Sequence, residues 1–118
     1  MIQYMFRKPV FPVILEVNGI IIGAKTSKQL EDDLSEIRLP AGGHLPFIDS
    51  SGEGWSFTVD HMTISPITFK KKWTKKEVIA LFNNSETAKM KNKEYSTKSI
   101  SAKRFDRIVS ELVDLIRR

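Results

Sequence analysis

Residues 13–22 read Val-Ile-Leu-Glu-Val-Asn-Gly-Ile-Ile-Ile and contain the clearest local structural signal in the chain. Two β-branched runs flank Asn18-Gly19, a dipeptide that suits a type I′ turn because both central residues of that turn need positive φ. The stretch therefore predicts a β-hairpin. Its apolar residues fall on both faces of the strands, so we expect other parts of the chain to cover the hairpin on more than one side.

After the hairpin, the spacing of the apolar residues changes from that of a strand to that of a helix. Leu30, Leu34 and Ile37 follow at intervals of four and three residues, with Ser27 as a candidate N-cap. This pattern predicts a helix over about residues 27–38. Pro40 and the glycines after it end the helix.

Short strands follow as far as residue 70. Residues 47–49 form one candidate, and Trp55, Phe57 and Val59 alternate with polar residues in a second. Residues 62–69 continue the alternation, interrupted at a proline. Together with the hairpin, these segments predict an antiparallel sheet of four to five strands over residues 10–70, preceded by an extended lead-in.

Two helices close the chain. Thr74 and Glu77 have the spacing of a capping box, which places a helix over about residues 74–84. Apolar residues from Phe105 onward recur with helical spacing and predict an amphipathic helix over about 102–117. The polar, lysine-rich residues 85–100 between them predict a loop or a frayed helix. The predicted fold class is α+β, in a single domain spanning the 118 residues.

The composition excludes several functional classes. The chain has no cysteine, which removes thiol catalysis, cysteine-based zinc sites and iron–sulfur clusters. No stretch offers the roughly 20 apolar residues of a membrane span, and no segment reads as a signal peptide. We therefore expect a cytoplasmic protein that needs no cofactor and contacts no membrane.

The net charge of +5 is unevenly distributed along the chain. Residues 1–69 carry 5 Lys and Arg against 8 Asp and Glu, a net charge of −3. Residues 70–118 carry 14 against 6, a net charge of +8. A β-rich, acidic portion is thus joined to a helical, basic portion, an asymmetry that suggests contact with nucleic acid or a membrane.

Residues 69–76 hold the densest positive charge, in the sequence Phe-Lys-Lys-Lys-Trp-Thr-Lys-Lys. Lysines there can contact phosphates while an aromatic ring stacks on a base. The alternative is that Trp73 enters the core and the lysines are simply solvated. Further cations lie at the start of the last helix, interspersed with acidic residues. The candidate nucleic-acid-binding residues are Lys70, Lys71, Lys72, Trp73, Lys75, Lys76, Lys103, Arg104 and Arg107.

Both histidines lie near carboxylates in the sequence. A metal or hydrolytic site would form if the loops carrying His44, Asp49, Glu53 and His61 converged. Their spacing matches no metal-ligand motif, and no serine lies in a nucleophile elbow. We assign no catalytic residue and no metal, and we keep these four residues as weak candidates.

Three functions from different classes remain. The first is a small non-enzymatic binding module, a protein-interaction or regulatory subunit that binds a protein partner or a second copy of itself. Two apolar strands and a long amphipathic helix favour it, because they offer more apolar surface than a chain of this size covers. The alternative is a nucleic-acid-binding protein that uses residues 70–107. A second alternative is a small hydrolase at His44 and His61.

Overall fold

The computed structural model describes residues 2–67 and 72–118. The predicted hairpin is confirmed: β2 (Val13–Val17) pairs antiparallel with β3 (Ile20–Ala24). Asn18 and Gly19 between them have φ of 51° and 86°, as a type I′ turn requires.

The hairpin is one end of a six-stranded mixed sheet with the order β1-β6-β5-β4-β2-β3. Strands β4 (His44–Ile48), β5 (Gly54–Thr58) and β6 (Thr63–Pro66) form an antiparallel meander. The sixth strand, β1 (Gln3–Tyr4), lies parallel to β6 at the edge. The α+β class is confirmed, but the sheet has one strand more than predicted. That strand comes from the segment we interpreted as an extended lead-in.

Four α-helices accompany the sheet. They are α1 (Ser27–Ser35), α2 (Lys75–Asn83), α3 (Glu86–Lys91) and α4 (Phe105–Arg117). Helix α2 begins with the predicted capping box between Thr74 and Glu77. Helix α1 is capped by Thr26, one residue before the predicted cap. The segment predicted as a loop or frayed helix contains α3, because Ser85 caps it by accepting from the Ala88 N–H.

The strand predicted around Trp55 and Phe57 extends beyond the end of β5, and part of the predicted alternation over residues 62–69 cannot be compared. Residues Val59–His61 form a 3-10 turn, so the strand stops at Thr58. Ile67 lies beyond β6, and Phe69 lies outside the described residues.

Strand β2 is buried on both faces, as its sequence predicts. Leu15 faces the side of the sheet covered by α1, where it packs with Leu30 and Phe47. Its neighbour Ile14 faces the other side, where α2 and α4 supply Phe82 and other apolar side chains. Burying a side chain of this size contributes about 1.5–3 kcal/mol, so this end of the sheet holds the layers together.

The two helices cover only part of their side of the sheet. On the same side as Ile48, the surface of β4, β5 and β6 carries polar or small side chains that are exposed or half-buried: His44, Pro46, Ser56, Thr58, Thr63 and Ser65. The sheet is therefore fully enclosed near β2 and partly open toward β1.

The edge strand β3 is covered by side chains and backbone from two helices. The Ile21 N–H donates to Thr87 Oγ1 at 2.8 Å, and the Gly23 carbonyl accepts from the Arg117 guanidinium at 3.0 Å. The Glu86 N–H also donates to the Gly19 carbonyl at 2.8 Å. Satisfying these outward-facing groups protects the edge from pairing with another strand.

Among the described residues, none of the helices is long and apolar enough to cross a bilayer.

Gly23 lies where α4 approaches the sheet, so a larger residue there should destabilise the fold. A Cβ at Gly23 would lie 3.0 Å from Val113 Cγ2 and 3.2 Å from Val113 Cα. We expect Gly23→Ala to lower the free energy of unfolding by about 1–3 kcal/mol in urea titrations, because α4 must shift. The double variant Gly23→Ala/Val113→Ala should lose less than the sum of the single losses. Additive losses would contradict this packing.

Candidate interaction surface

Residues 5–10 connect β1 to the segment before β2, and we call them the strap. Pro9 prevents a regular helix there, and three apolar side chains of the strap are exposed: Met5, Phe6 and Val10. Phe6 is 88% exposed, the most of any large hydrophobic residue among those described. The strap thus presents an aromatic ring to solvent where the sequence alone predicts only an extended lead-in.

The backbone at Phe6 is strained. Its φ is +72°, and the Arg7 N–H donates to the Met5 carbonyl at 2.8 Å across it. This is a γ-turn of the rare kind with positive φ at its central residue. A non-glycine residue in such a conformation costs about 1–3 kcal/mol, and it persists only where its surroundings enforce it.

An ion pair with Glu53 fixes the strap on one side of Phe6. The Arg7 guanidinium binds both carboxylate oxygens of Glu53 and lies 4.7 Å from the ring centroid of Trp55. The hydrogen bond to Glu53 raises the pKa of Arg7 above its ordinary value. Met5 fixes the other side, where its N–H donates to the Ile64 carbonyl at 2.9 Å. The exposed ring therefore projects from between two anchored residues.

The loop from Asp49 to Glu53 fixes the far end of the strap. Asp49 is buried, and its carboxylate accepts from the Val10 N–H at 3.1 Å and from the Glu53 N–H at 3.2 Å. Ser50 donates its hydroxyl and its N–H to the Val10 carbonyl. These buried polar groups have partners, as burial requires.

The weak metal or hydrolytic candidates are not brought together. His44 begins β4, whereas Asp49 follows its end, about 16 Å away at the rise of a strand. His61 lies in the turn near the His44 end, and Glu53 lies with Asp49. Within residues 2–67 and 72–118, no three His, Cys, Asp or Glu side chains are grouped to hold a metal ion. His44 instead contacts hydroxyls, with Nδ1 2.8 Å from Ser56 Oγ.

The basic cluster predicted at 70–76 is only partly described, since Lys70 and Lys71 lie outside the described residues. Lys72 is exposed and pairs with Glu53 in an isolated β-bridge. Trp73 is half-buried and packs against the core beneath α2 and α4, and its backbone N–H donates to the Gly52 carbonyl at 2.7 Å. It thus lies at the margin of that core.

The remaining lysines of that cluster lie on the first turn of α2. Lys75 is half-buried and donates to the Ile100 carbonyl at 3.2 Å. Lys76 is exposed and lines a groove between α2 and residues 94–100. The two lysines therefore have different surroundings.

The cations near the start of α4 are paired with acidic residues of the same helix. Lys103 donates to Glu111 Oε1 at 2.9 Å, and Arg107 donates to Glu111 Oε2 at 3.1 Å. Arg104 lies 3.4 Å from the carboxylate of Asp106. These pairs reduce the positive charge that the end of α4 offers to a phosphate backbone.

A buried tyrosine completes the Glu111 cluster. The Tyr95 hydroxyl donates to Glu111 Oε1 at 2.5 Å and accepts from Lys103 at 3.2 Å. The hydrogen bonds from Tyr95 and then Lys103 lower the pKa of Glu111 to about 2. Burial and the bond to Glu111 raise the pKa of Tyr95, and the bond to Glu111 raises the pKa of Lys103. The cluster fastens the segment before α4 to the helix.

Comparison with protein-family models, curated proteins and solved structures finds no match for this chain. Its function is therefore inferred from its own residues.

The strap is the feature that our sequence analysis missed. The signal in the sequence is the run Met-Phe-Arg-Lys-Pro at residues 5–9, in which aromatic and cationic side chains stand just before a proline. Composition alone does not show that Phe6 stays exposed. The exposure of Phe6 depends on the ion pair between Arg7 and Glu53, which lies 46 residues later in the chain.

Replacing the Glu111 carboxylate should remove a pH-dependent part of the stability. The folded pKa of about 2 lies below the ordinary value of 4.5, so Glu111 stabilises the fold at neutral pH. That stabilisation is lost as the pH falls below about 4.5 toward 2. We expect Glu111→Gln to be less stable than the wild type at neutral pH, with the difference shrinking as the pH falls, in urea titrations across that range.

Glu94→Gln is the matched control, because Glu94 is exposed and forms no ion pair with any described residue. It should change stability little at every pH. A Glu111→Gln deficit that stays constant down to about pH 2 would contradict the pKa assigned to Glu111.

Proposed function

We propose that this chain is a cytoplasmic, non-enzymatic protein-interaction module that binds its partner through the strap. The proposal rests on the exposure of Phe6, whose ring is 88% exposed on a strained backbone between the anchored residues Met5 and Arg7. Such strain clusters at ligand-binding and switch sites, and exposed aromatic residues are enriched in the centres of interfaces.

The anchors of the strap make it suited to binding. Arg7 and Val10 are both tied to the loop that contains Asp49 and Glu53. A partner would therefore bind a strap whose backbone is already ordered, so binding would cost little additional conformational entropy. Asp49 and Glu53 serve this structural role in the proposal, in place of the catalytic or metal-binding role considered from the sequence.

Nucleic-acid binding through residues 70–107 is kept as an alternative proposal. Its support is the set of exposed lysines beside α2, which includes Lys72 and Lys76. The pairing of Lys103, Arg104 and Arg107 with carboxylates favours a protein partner over a polyanion.

A photo-crosslinking phenylalanine analogue at position 6 tests the proposed function. The full-length chain carrying it would be irradiated in cells of its source organism, and adducts would be identified by mass spectrometry. We expect defined adducts with a protein partner, because the ring lies at the centre of the proposed contact. Phe6→Ala should weaken binding of that purified partner by at least about tenfold.

Met90 provides the matched control position. It is 78% exposed on α3, remote in sequence from the strap, and its replacement by the same analogue should not give the adducts seen at position 6. Identical adducts at both positions, or no protein adduct at position 6, would contradict the proposed function.

Fluorescence anisotropy with labelled single- and double-stranded DNA tests the alternative. We expect only non-specific binding, with a dissociation constant of about 10⁻⁴–10⁻⁶ M. Tighter binding that falls steeply with salt would favour the alternative if glutamine at positions 70, 71, 72, 75 and 76 abolished it.

A further inference from the structure

A groove of about 360 Å³ lies at the β3 edge, between α1 and α4. Isoleucine side chains line it from β3, from the segment after α1 and from α4 (Ile22, Ile37 and Ile116), beside charged side chains. The groove is large enough to be a binding pocket for an aromatic side chain. It lies at the opposite edge of the sheet from β1, next to which Phe6 stands.

The rim of the groove favours a cation. Asp33 and Glu36 lie there, at the end of α1, where the helix dipole adds partial negative charge. Arg117 donates to Asp33 at 2.7 Å and is occupied there. Glu36 forms no ion pair with any described residue, and the nearby Arg38 does not line the groove. A cation from outside would find an available carboxylate at Glu36.

The strap carries side chains that complement those of the groove. It presents the Phe6 ring, and two residues later the exposed Lys8. The Lys8 ammonium lies 5.9 Å from the ring centroid of Tyr4 and forms no ion pair with any residue in the described ranges. An aromatic ring followed by a cation matches a groove that offers both isoleucine side chains and a carboxylate.

Phe6 cannot reach the groove of its own molecule. Strands β1 and β3 are the two edges of the six-stranded sheet, which places them about 24 Å apart at the usual strand spacing. The strap is also tied to the loop at Asp49–Glu53. Any docking of strap into groove is therefore between molecules.

We propose that the partner of the strap is a second copy of this chain, with Phe6 of one copy in the β3-edge groove of the next and Lys8 beside Glu36. This inference rests on the proposed function and names its partner. The two surfaces differ, so the contact is head-to-tail and produces a ring or an open chain of copies. The contact is small, so association is weak and concentration-dependent.

Sedimentation velocity of the purified full-length chain tests the inference. The weight-average mass should rise between about 10 µM and 1 mM protein at low salt, and the rise should diminish at high salt. Lys8→Glu and Glu36→Lys should each weaken self-association at least tenfold, because each places like charges opposite one another. The matched controls Lys98→Glu and Glu94→Lys should self-associate as the wild type does.

Mixing the two weakened variants provides the decisive outcome. In an equimolar mixture of Lys8→Glu and Glu36→Lys chains, every contact between unlike chains joins opposite charges, so the mixture should associate although neither variant does alone. A mixture that stays monomeric, or a wild-type chain that stays monomeric at about 1 mM, would overturn the inference.

The crosslinking analogue at position 6 separates this inference from the proposed function. Adducts that join position 6 to a peptide containing Ile37 or Ile116 of a second copy would support both. Adducts with a different protein, together with a monomeric chain, would overturn the second-copy partner and leave the proposed function standing. The absence of any adduct would overturn both.

Discussion

Burial of β2 on both faces determines where the helices of this protein pack. Because Leu15 and Ile14 point to opposite sides, the chain must supply a cover for each, and α1 and the pair α2 and α4 do so. The helices gather at the β2–β3 end of the sheet. The β1 end consequently keeps an open polar face, and the connecting strap has three exposed apolar side chains.

The ion pair of Arg7 with Glu53 converts that exposed connection into an ordered surface. Glu53 is nearly buried, and a buried carboxylate is costly unless it is paired and hydrogen-bonded. The bidentate guanidinium meets that requirement and at the same time positions Arg7 over Trp55. The same contact holds Phe6 outward, so stability of the loop and exposure of the ring have a common cause.

The secondary-structure elements that depend on neighbouring residues were predictable from the sequence. The strap was not, because contacts between residues far apart in the chain position it. Asn18-Gly19 and the Thr74–Glu77 box act within a few residues, and both were predicted correctly. Strand β1 was missed because its two residues form a strand only by pairing with β6, 60 residues later. The charge of the last helix was predicted, but its neutralisation by Glu111 depends on which side chains share a helix face and on Tyr95.

Nuclear magnetic resonance of the isotopically labelled wild-type chain over a dilution series observes the strap and the groove together and so tests whether Phe6 of one copy binds the next. We expect the amide signals of residues 5–10 and of the groove around Glu36 and Ile116 to shift together as the protein is concentrated. Signals of the open sheet face and of the first turn of α2 should stay in place. Shifts confined to those surfaces, with the strap unchanged at every concentration, would contradict that expectation.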